Sequence, residues 1–135
     1  MTNPTSALTL YQAAVDDGYT FYPDSFFNRP KDWYVERKRR FAEVREAIVR
    51  DLADISDEQI VEYTGADYEC EKLPLSQAST YLRDHCDKVR SWARYYADEW
   101  GALVGLIYIL RSASEAESEL PDIRRRYIQA ALKGN

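Results

Sequence analysis

The stretch from Leu75 to Leu110 constrains this chain more than any other. Read in sevens, one set of positions is Leu75, Leu82, Val89, Tyr96, Leu103 and Leu110. Four residues after each of the first five come Ser79, Cys86, Ala93, Trp100 and Ile107. Alternating steps of four and three place both sets on one stripe of an α-helix. Beside it runs a stripe of small residues, Ala93, Ala97, Gly101 and Gly105. Small side chains every fourth position let a second helix or a second copy approach closely, so these four are the expected helix-packing or dimer contact. The fold class that follows is all-α. Five or six helices pack around one long helix at about 75–112, bent or broken near 97–101.

Helix length sharpens this. Residues 75–112 would span roughly 57 Å at 1.5 Å per residue. A domain of this size has a radius of gyration of about 14 Å. The helix must therefore bend, break or protrude, and a protruding apolar stripe needs cover. Homodimerisation is the expectation drawn from that excess.

The other elements follow from local signals. Asn3 or Thr5 is placed to cap a first helix over about Ser6 to Asp17, with Gly18 as its stop. Lys31 to about Asp54 reads as a long second helix, with Tyr34, Phe41, Val44, Ile48 and Leu52 at helical spacing. Glu36–Arg40, Arg39–Glu43 and Glu46–Arg50 can pair along it. Ser56 with Gln59 three residues on is a capping box, and Gly65 ends that helix. Ala66 to Leu73 reads as an acidic loop. Pro121 precedes a last helix that carries Ile123 and Tyr127 on one face and Arg124 to Arg126 on the other.

At 135 residues with 45% apolar content the chain reads as one domain with a sizeable core, residues 1–135. Its one irregular segment, 19–30, is rich in aromatics. Tyr19, Phe21, Tyr22, Phe26 and Phe27 crowd there, and Trp33 follows. Rings of this kind either cap the end of a bundle or form part of a binding surface. No apolar run approaches the roughly 18 residues of a membrane span. Met1 to Leu10 has neither a basic region nor a long apolar one, so no signal peptide is expected. Cys70 and Cys86 make no disulfide framework, which favours a reducing, cytoplasmic setting.

No catalytic, metal or cofactor motif stands out, and no motif supports resemblance to a known family. His85, the one histidine, lies in Asp84-His85-Cys86-Asp87, which lacks zinc-ligand spacing. Charge is more informative. Residues 29–50 hold eight basic and four acidic side chains, whereas residues 51–71 hold eight acidic and no basic ones. Those eight are Asp51, Asp54, Asp57, Glu58, Glu62, Asp67, Glu69 and Glu71. A row of carboxylates can imitate a phosphate backbone and occupy a basic groove. The expected function is therefore a non-enzymatic binding protein. It would be a regulator or inhibitor acting by contact and occlusion on a protein partner, of the size and acidity of viral anti-defence proteins. Two other classes compete. One is a small enzyme using His85 with Asp84, Asp87 or Glu99, marked by a pocket gathering them. The other is a nucleic-acid binder through Arg37, Lys38, Arg39 and Arg40, disfavoured by a net charge of −5.

Overall fold

Ser56 opens a helix as its surroundings require. Its hydroxyl accepts the Gln59 backbone N–H at 3.2 Å, and the Gln59 side chain returns to the Ser56 N–H at 3.3 Å. The helix closes at Gly65, where φ is +71°, a left-handed conformation that costs glycine little and a β-carbon more. The same chemistry bounds the first helix, although Ser6, not Asn3 or Thr5, is its cap. The Ser6 hydroxyl is the one that reaches the Thr9 N–H, and Gly18 at φ +91° ends the turn.

The structure, a computed structural model, describes residues 5–19, 29–95, 100–115 and 120–133, with Glu69, Trp100 and Gly101 described by backbone alone. Among the described residues there are seven helices and no strand. They are α1 Ala7–Asp16, α2 Lys31–Asp54, α3 Asp57–Thr64, α4 Ala66–Cys70, α5 Leu75–Tyr95, α6 Trp100–Ser114 and α7 Asp122–Lys133. The fold is all-α, as the periodicity predicts. The predicted acidic loop contains the short α4, and the long helix comes as α5 and α6.

Contacts show that α5 and α6 run in opposite directions. Arg45 of α2 donates to the Arg94 carbonyl near the end of α5. Arg90, one turn earlier, donates to the Ile55 carbonyl at 2.9 Å, just beyond the end of α2. α5 is thus antiparallel to α2. α6 begins five residues after Tyr95, yet its far end, Leu110 and Ala113, shares a hollow with Asp51, Ile55 and Gln59. In one straight helix residues 90 and 110 would stand roughly 30 Å apart. Here both lie at the α2–α3 junction. The excess length that motivated a dimer is therefore folded back into the chain, and that argument loses its premise.

The heptad stripe still makes the core. Ser79, Leu82, Cys86, Val89 and Ala93 of α5 are buried, as are Leu103, Ile107 and Leu110 of α6. They meet Val44, Ile48 and Leu52 of α2, Ile60 and Val61 of α3, and Ile128 of α7. Each large aliphatic side chain fully buried contributes about 1.5–3 kcal/mol. The small stripe does not continue as predicted. Ala93 is buried, but Gly105 is exposed with nothing within 4 Å of where a β-carbon would stand. Ala97 lies outside the described residues, as do the surroundings of Gly101.

Arg90 joins three helices at that junction. It donates to the Ile55 carbonyl and, at 3.4 Å, to the Leu52 carbonyl, and it pairs with Asp57 of α3 at 2.6 Å. Replacing it with Leu should lower stability by roughly 1–3 kcal/mol, the scale of hydrogen bonds to a charged group. Lys, which keeps charge but loses the fork, should fall between. A urea midpoint unchanged in Arg90→Leu would remove this role.

Candidate functional site

The eight carboxylates from Asp51 to Glu71 do not form one free acidic row. Three of them meet cations or helix ends that the local sequence does not contain. Asp51 accepts the Ala7 N–H at the start of α1 at 2.8 Å and pairs with Arg50 at 3.3 Å. Asp57 pairs with Arg90. Asp67 is only 2% exposed and is held by Arg124 of α7. Asp54 and Glu71 are exposed, Glu58 and Glu62 half-exposed, and the Glu69 side chain lies outside the described residues. The expectation of eight uncompensated charges is corrected for Asp51, Asp57 and Asp67.

The Asp67 contact is the most buried charge pair among the described residues. Arg124 donates to one carboxylate oxygen, and its guanidinium lies 3.4 Å from the centre of the Tyr68 ring. The other oxygen, Oδ1, is buried without a hydrogen-bond partner among the described residues. Tyr127 donates to the Cys70 carbonyl at 2.7 Å and secures the same α4–α7 seam.

The basic run is likewise committed, in part. Arg39 pairs with Glu36 and Glu43, and Arg40 pairs with Asp17 at 2.7 Å and with Glu36 at 3.3 Å. The Glu36 carboxyl is held down to about 2, chiefly by its hydrogen bond to Arg39; burial opposes this, and the hydrogen bond to Arg40 and the charges of both arginines add to the lowering. Arg50 turns to the Thr5 carbonyl and Asp51 rather than to Glu46.

Two of the predicted aromatic residues form a closed ladder. Arg29 lies over Trp33 at 5.0 Å, Trp33 stacks on Tyr19 at 5.7 Å, and Arg40 lies over the Tyr19 ring at 5.5 Å. Arg29 and Tyr19 thus both lie against the Trp33 ring, and Trp33 and Arg40 both lie against the Tyr19 ring. Phe21, Tyr22, Phe26 and Phe27 lie outside the described residues.

His85 bridges α5 and α3. Its Nε2 is 2.8 Å from the Thr64 hydroxyl, which also lies 2.7 Å from the Ile60 carbonyl. With the hydroxyl proton on that carbonyl, the imidazole donates from Nε2. Tyr81 lies parallel to the ring at 6.5 Å. Tyr81, Asp84, His85, Asp87, Lys88 and Ser91 line an open hollow. Glu99 lies outside the described residues. Cys70 and Cys86 are free and buried, and burial, with Asp57 nearby, pushes the Cys86 thiol up to about 12. Among the described residues no three His, Cys, Asp or Glu side chains gather as a metal would need, and no helix is long and apolar enough to cross a membrane.

Sequence reasoning did not find a second hollow, between α2 and α5, lined by Ala42, Arg45, Glu46, Val49 and Arg94. It joins residues up to 52 apart in sequence, and only the antiparallel pairing of the two helices makes it. Nor did it single out the large apolar side chains that stand in solvent. Tyr95 is 72% exposed, Tyr108 62%, Val35 61% and Ile123 82%. The signal was available for Val35, Tyr95 and Tyr108, which fall off the periodic apolar stripes of their helices; Ile123, read on the apolar face with Tyr127, stands in solvent instead.

Two measurements check these assignments. Arg124→Met strands a buried carboxylate and should cost roughly 3–5 kcal/mol, much of it recovered by adding Asp67→Asn. Equal losses in the single and double variants would show that the pair is not coupled. Glu36 should titrate near 2 by carboxyl NMR and return toward its ordinary 4.5 in the Arg39→Ala, Arg40→Ala protein. Because its folded value is depressed, its contribution to stability is complete above 4.5 and is lost as pH falls toward 2. An ordinary Glu36 titration in the parent would remove the ion-pair cluster.

Compared with protein-family models, with curated proteins and with solved structures, the chain matches none.

Proposed function

We propose that this chain is a non-enzymatic binding protein, a regulator or inhibitor that acts on a protein partner by contact and occlusion. The observation that carries the reading is the exposure of Tyr95 at 72% and Tyr108 at 62%, on helices whose other faces close the core. Tyrosine exposed on a rigid element offers apolar area, a hydroxyl and little entropy to lose, and it is enriched among residues that dominate binding energy. Asp54, Glu58, Glu62 and Glu71 supply a smaller acidic surface than the local sequence suggested. They suit electrostatic steering toward a basic partner better than a full imitation of a phosphate backbone.

One observation favours an enzyme instead. His85, Asp84 and Asp87 do line one hollow, the gathering that reading requires. In the tautomer described above, the basic nitrogen is Nδ1, and Thr64 would orient the ring as the third group of a triad does. The hollow is nonetheless open, and exposed Asp84, Asp87 and Lys88 are well solvated. The contact reading therefore has the stronger support.

The test is affinity capture from the native cell with three proteins: the parent, Tyr95→Ser with Tyr108→Ser, and Asp54→Asn with Glu58→Gln and Glu62→Gln. The tyrosine variant should release the captured partner about 30-fold faster, the scale of a hot-spot loss of 2 kcal/mol. The carboxylate variant should bind more slowly, with its on-rate less sensitive to salt. Capture unaffected by either set, alongside a turnover abolished by His85→Gln, would replace this reading with the enzymatic one.

A further inference from the structure

The return of α6 to the end of α2 builds a hollow that α1, α2, α3 and α6 share. At about 350 Å³ it stands at the small end of ligand pockets, with room for one side chain rather than a helix. Its apolar wall is Leu8, Ile55, Leu110 and Ala113, of which Leu110 is buried and the others half-buried. Asp51, Asp54, Ser6, Ser114 and Gln59 supply its polar atoms, and the described residues that line it include no cation. Most of those polar groups are already engaged. Asp51 accepts the Ala7 N–H and pairs with Arg50. Ser6 bonds to Thr9, the Gln59 Oε1 accepts the Ser56 N–H, and the Ser114 hydroxyl donates to the Arg111 carbonyl. Asp54 is exposed and has no hydrogen bond or ion pair among the described residues. Arg50 stands four residues before it, the spacing of a pair, yet turns to Asp51 and the Thr5 carbonyl instead.

We propose that this hollow docks a lysine side chain of a protein partner. The inference rests on the contact reading above and names one pocket for it. A lysine stem can lie along Leu8, Ile55 and Ala113 while its ammonium stays at the wet rim. There Asp54 offers an unneutralised carboxylate, and a bond between two charged groups is stronger than a neutral one. An acidic side chain would meet Asp51 and Asp54 with no lining cation to offset them. A wholly apolar one would cover Asp54 and leave its charge without a partner. The form of the cation follows from where the acceptors stand. Ser6 caps α1, Asp54 ends α2 and Ser114 ends α6, so the oxygens come from three separate elements. A compact ammonium with three rotatable donors suits scattered acceptors, whereas a guanidinium fork suits two oxygens of one carboxylate.

The experiment adds a capped alanine-lysine-alanine tripeptide to the isotope-labelled full chain, beside versions with norleucine or glutamate in place of the lysine. The lysine peptide, at millimolar concentration, should shift the amides of Leu8, Asp54, Ile55, Gln59 and Ala113. The norleucine and glutamate peptides should bind more weakly by about fivefold or more, the upper end for a solvent-exposed charge pair. Asp54→Asn should weaken the lysine peptide by the same factor. Its position is exposed, so its melting transition should match the parent's. Ala113→Leu, which fills the hollow and leaves the Asp54 charge in place, should also weaken it; should that variant unfold, Asp54→Asn alone decides. The proposal is overturned if the lysine peptide leaves these amides unmoved, if norleucine binds as well, or if Asp54→Asn binds like the parent. It is also overturned if the same amides move with protein concentration alone, which would make a second copy the occupant. On a natural partner, steering alone would make Asp54→Asn, Glu58→Gln and Glu62→Gln alike in slowing association. The pocket sets Asp54→Asn apart by raising its off-rate about fivefold. A partner lost on Tyr95 and Tyr108 substitution, with an off-rate unchanged in Asp54→Asn, would leave the contact reading standing and remove this pocket.

Discussion

Arg90 stands where the chain can least do without a cation. α2 ends with no basic residue in its last turn, and α3, which begins two residues after the Ile55 cap, holds Asp57 and Glu58 in its first turn. Partial negative charge at a helix end and a carboxylate beside it repel each other. Arg90, from the middle of α5, places a guanidinium fork between them and bonds to both. A fork suits this geometry because its N–H groups diverge in one plane toward separate acceptors. Those contacts fit the antiparallel run of α5 along α2, with α6 returning to the same junction. Leu82, Val89 and Leu103 then reach one core.

The same fact explains which charges the sequence made legible. Pairs within α2 follow from spacing, and Glu36 with Arg40 and Arg39 with Glu43 form as their four-residue separations suggest. The partners of Asp57 and Asp67 are 33 and 57 residues away. No local window contains them. A block that looks uncompensated along the chain is therefore partly neutral in space, and three aspartates that resemble a recognition surface are fasteners. The four-residue Glu46–Arg50 spacing misleads in the opposite sense, because Arg50 finds the Thr5 carbonyl and Asp51 instead.

Periodicity carried further than charge, since burial depends on which face a residue occupies and less on what lies opposite. The heptad register from Ser79 to Ala93 resumes at Leu103, Ile107 and Leu110, although α5 and α6 run in opposite directions. A helical hairpin whose arms pack on a common core needs both arms to present apolar residues at the same spacing, so one continuous pattern serves two antiparallel helices. The small stripe fails for the complementary reason. Ala93 and Gly105 share a spacing only along an unbroken helix, and the reversal leaves Gly105 in open solvent.

The surfaces that remain can be separated by what their side chains already do. Trp33 and Tyr19 already stack on each other and carry Arg29 and Arg40, and Arg124 holds the buried Asp67 carboxylate and lies over Tyr68, itself 65% exposed. Groups whose interactions are satisfied within the fold gain little by exchanging them for a partner's. Tyr95, Tyr108, Val35, Lys38 and Arg94 stand in solvent instead, and binding them would remove apolar area from water or pair an unneutralised cation. On that ground the proposed contact surface draws on exposed side chains such as Tyr95 and Tyr108, while Asp51, Asp57 and Asp67 are tied to the scaffold that holds them in place.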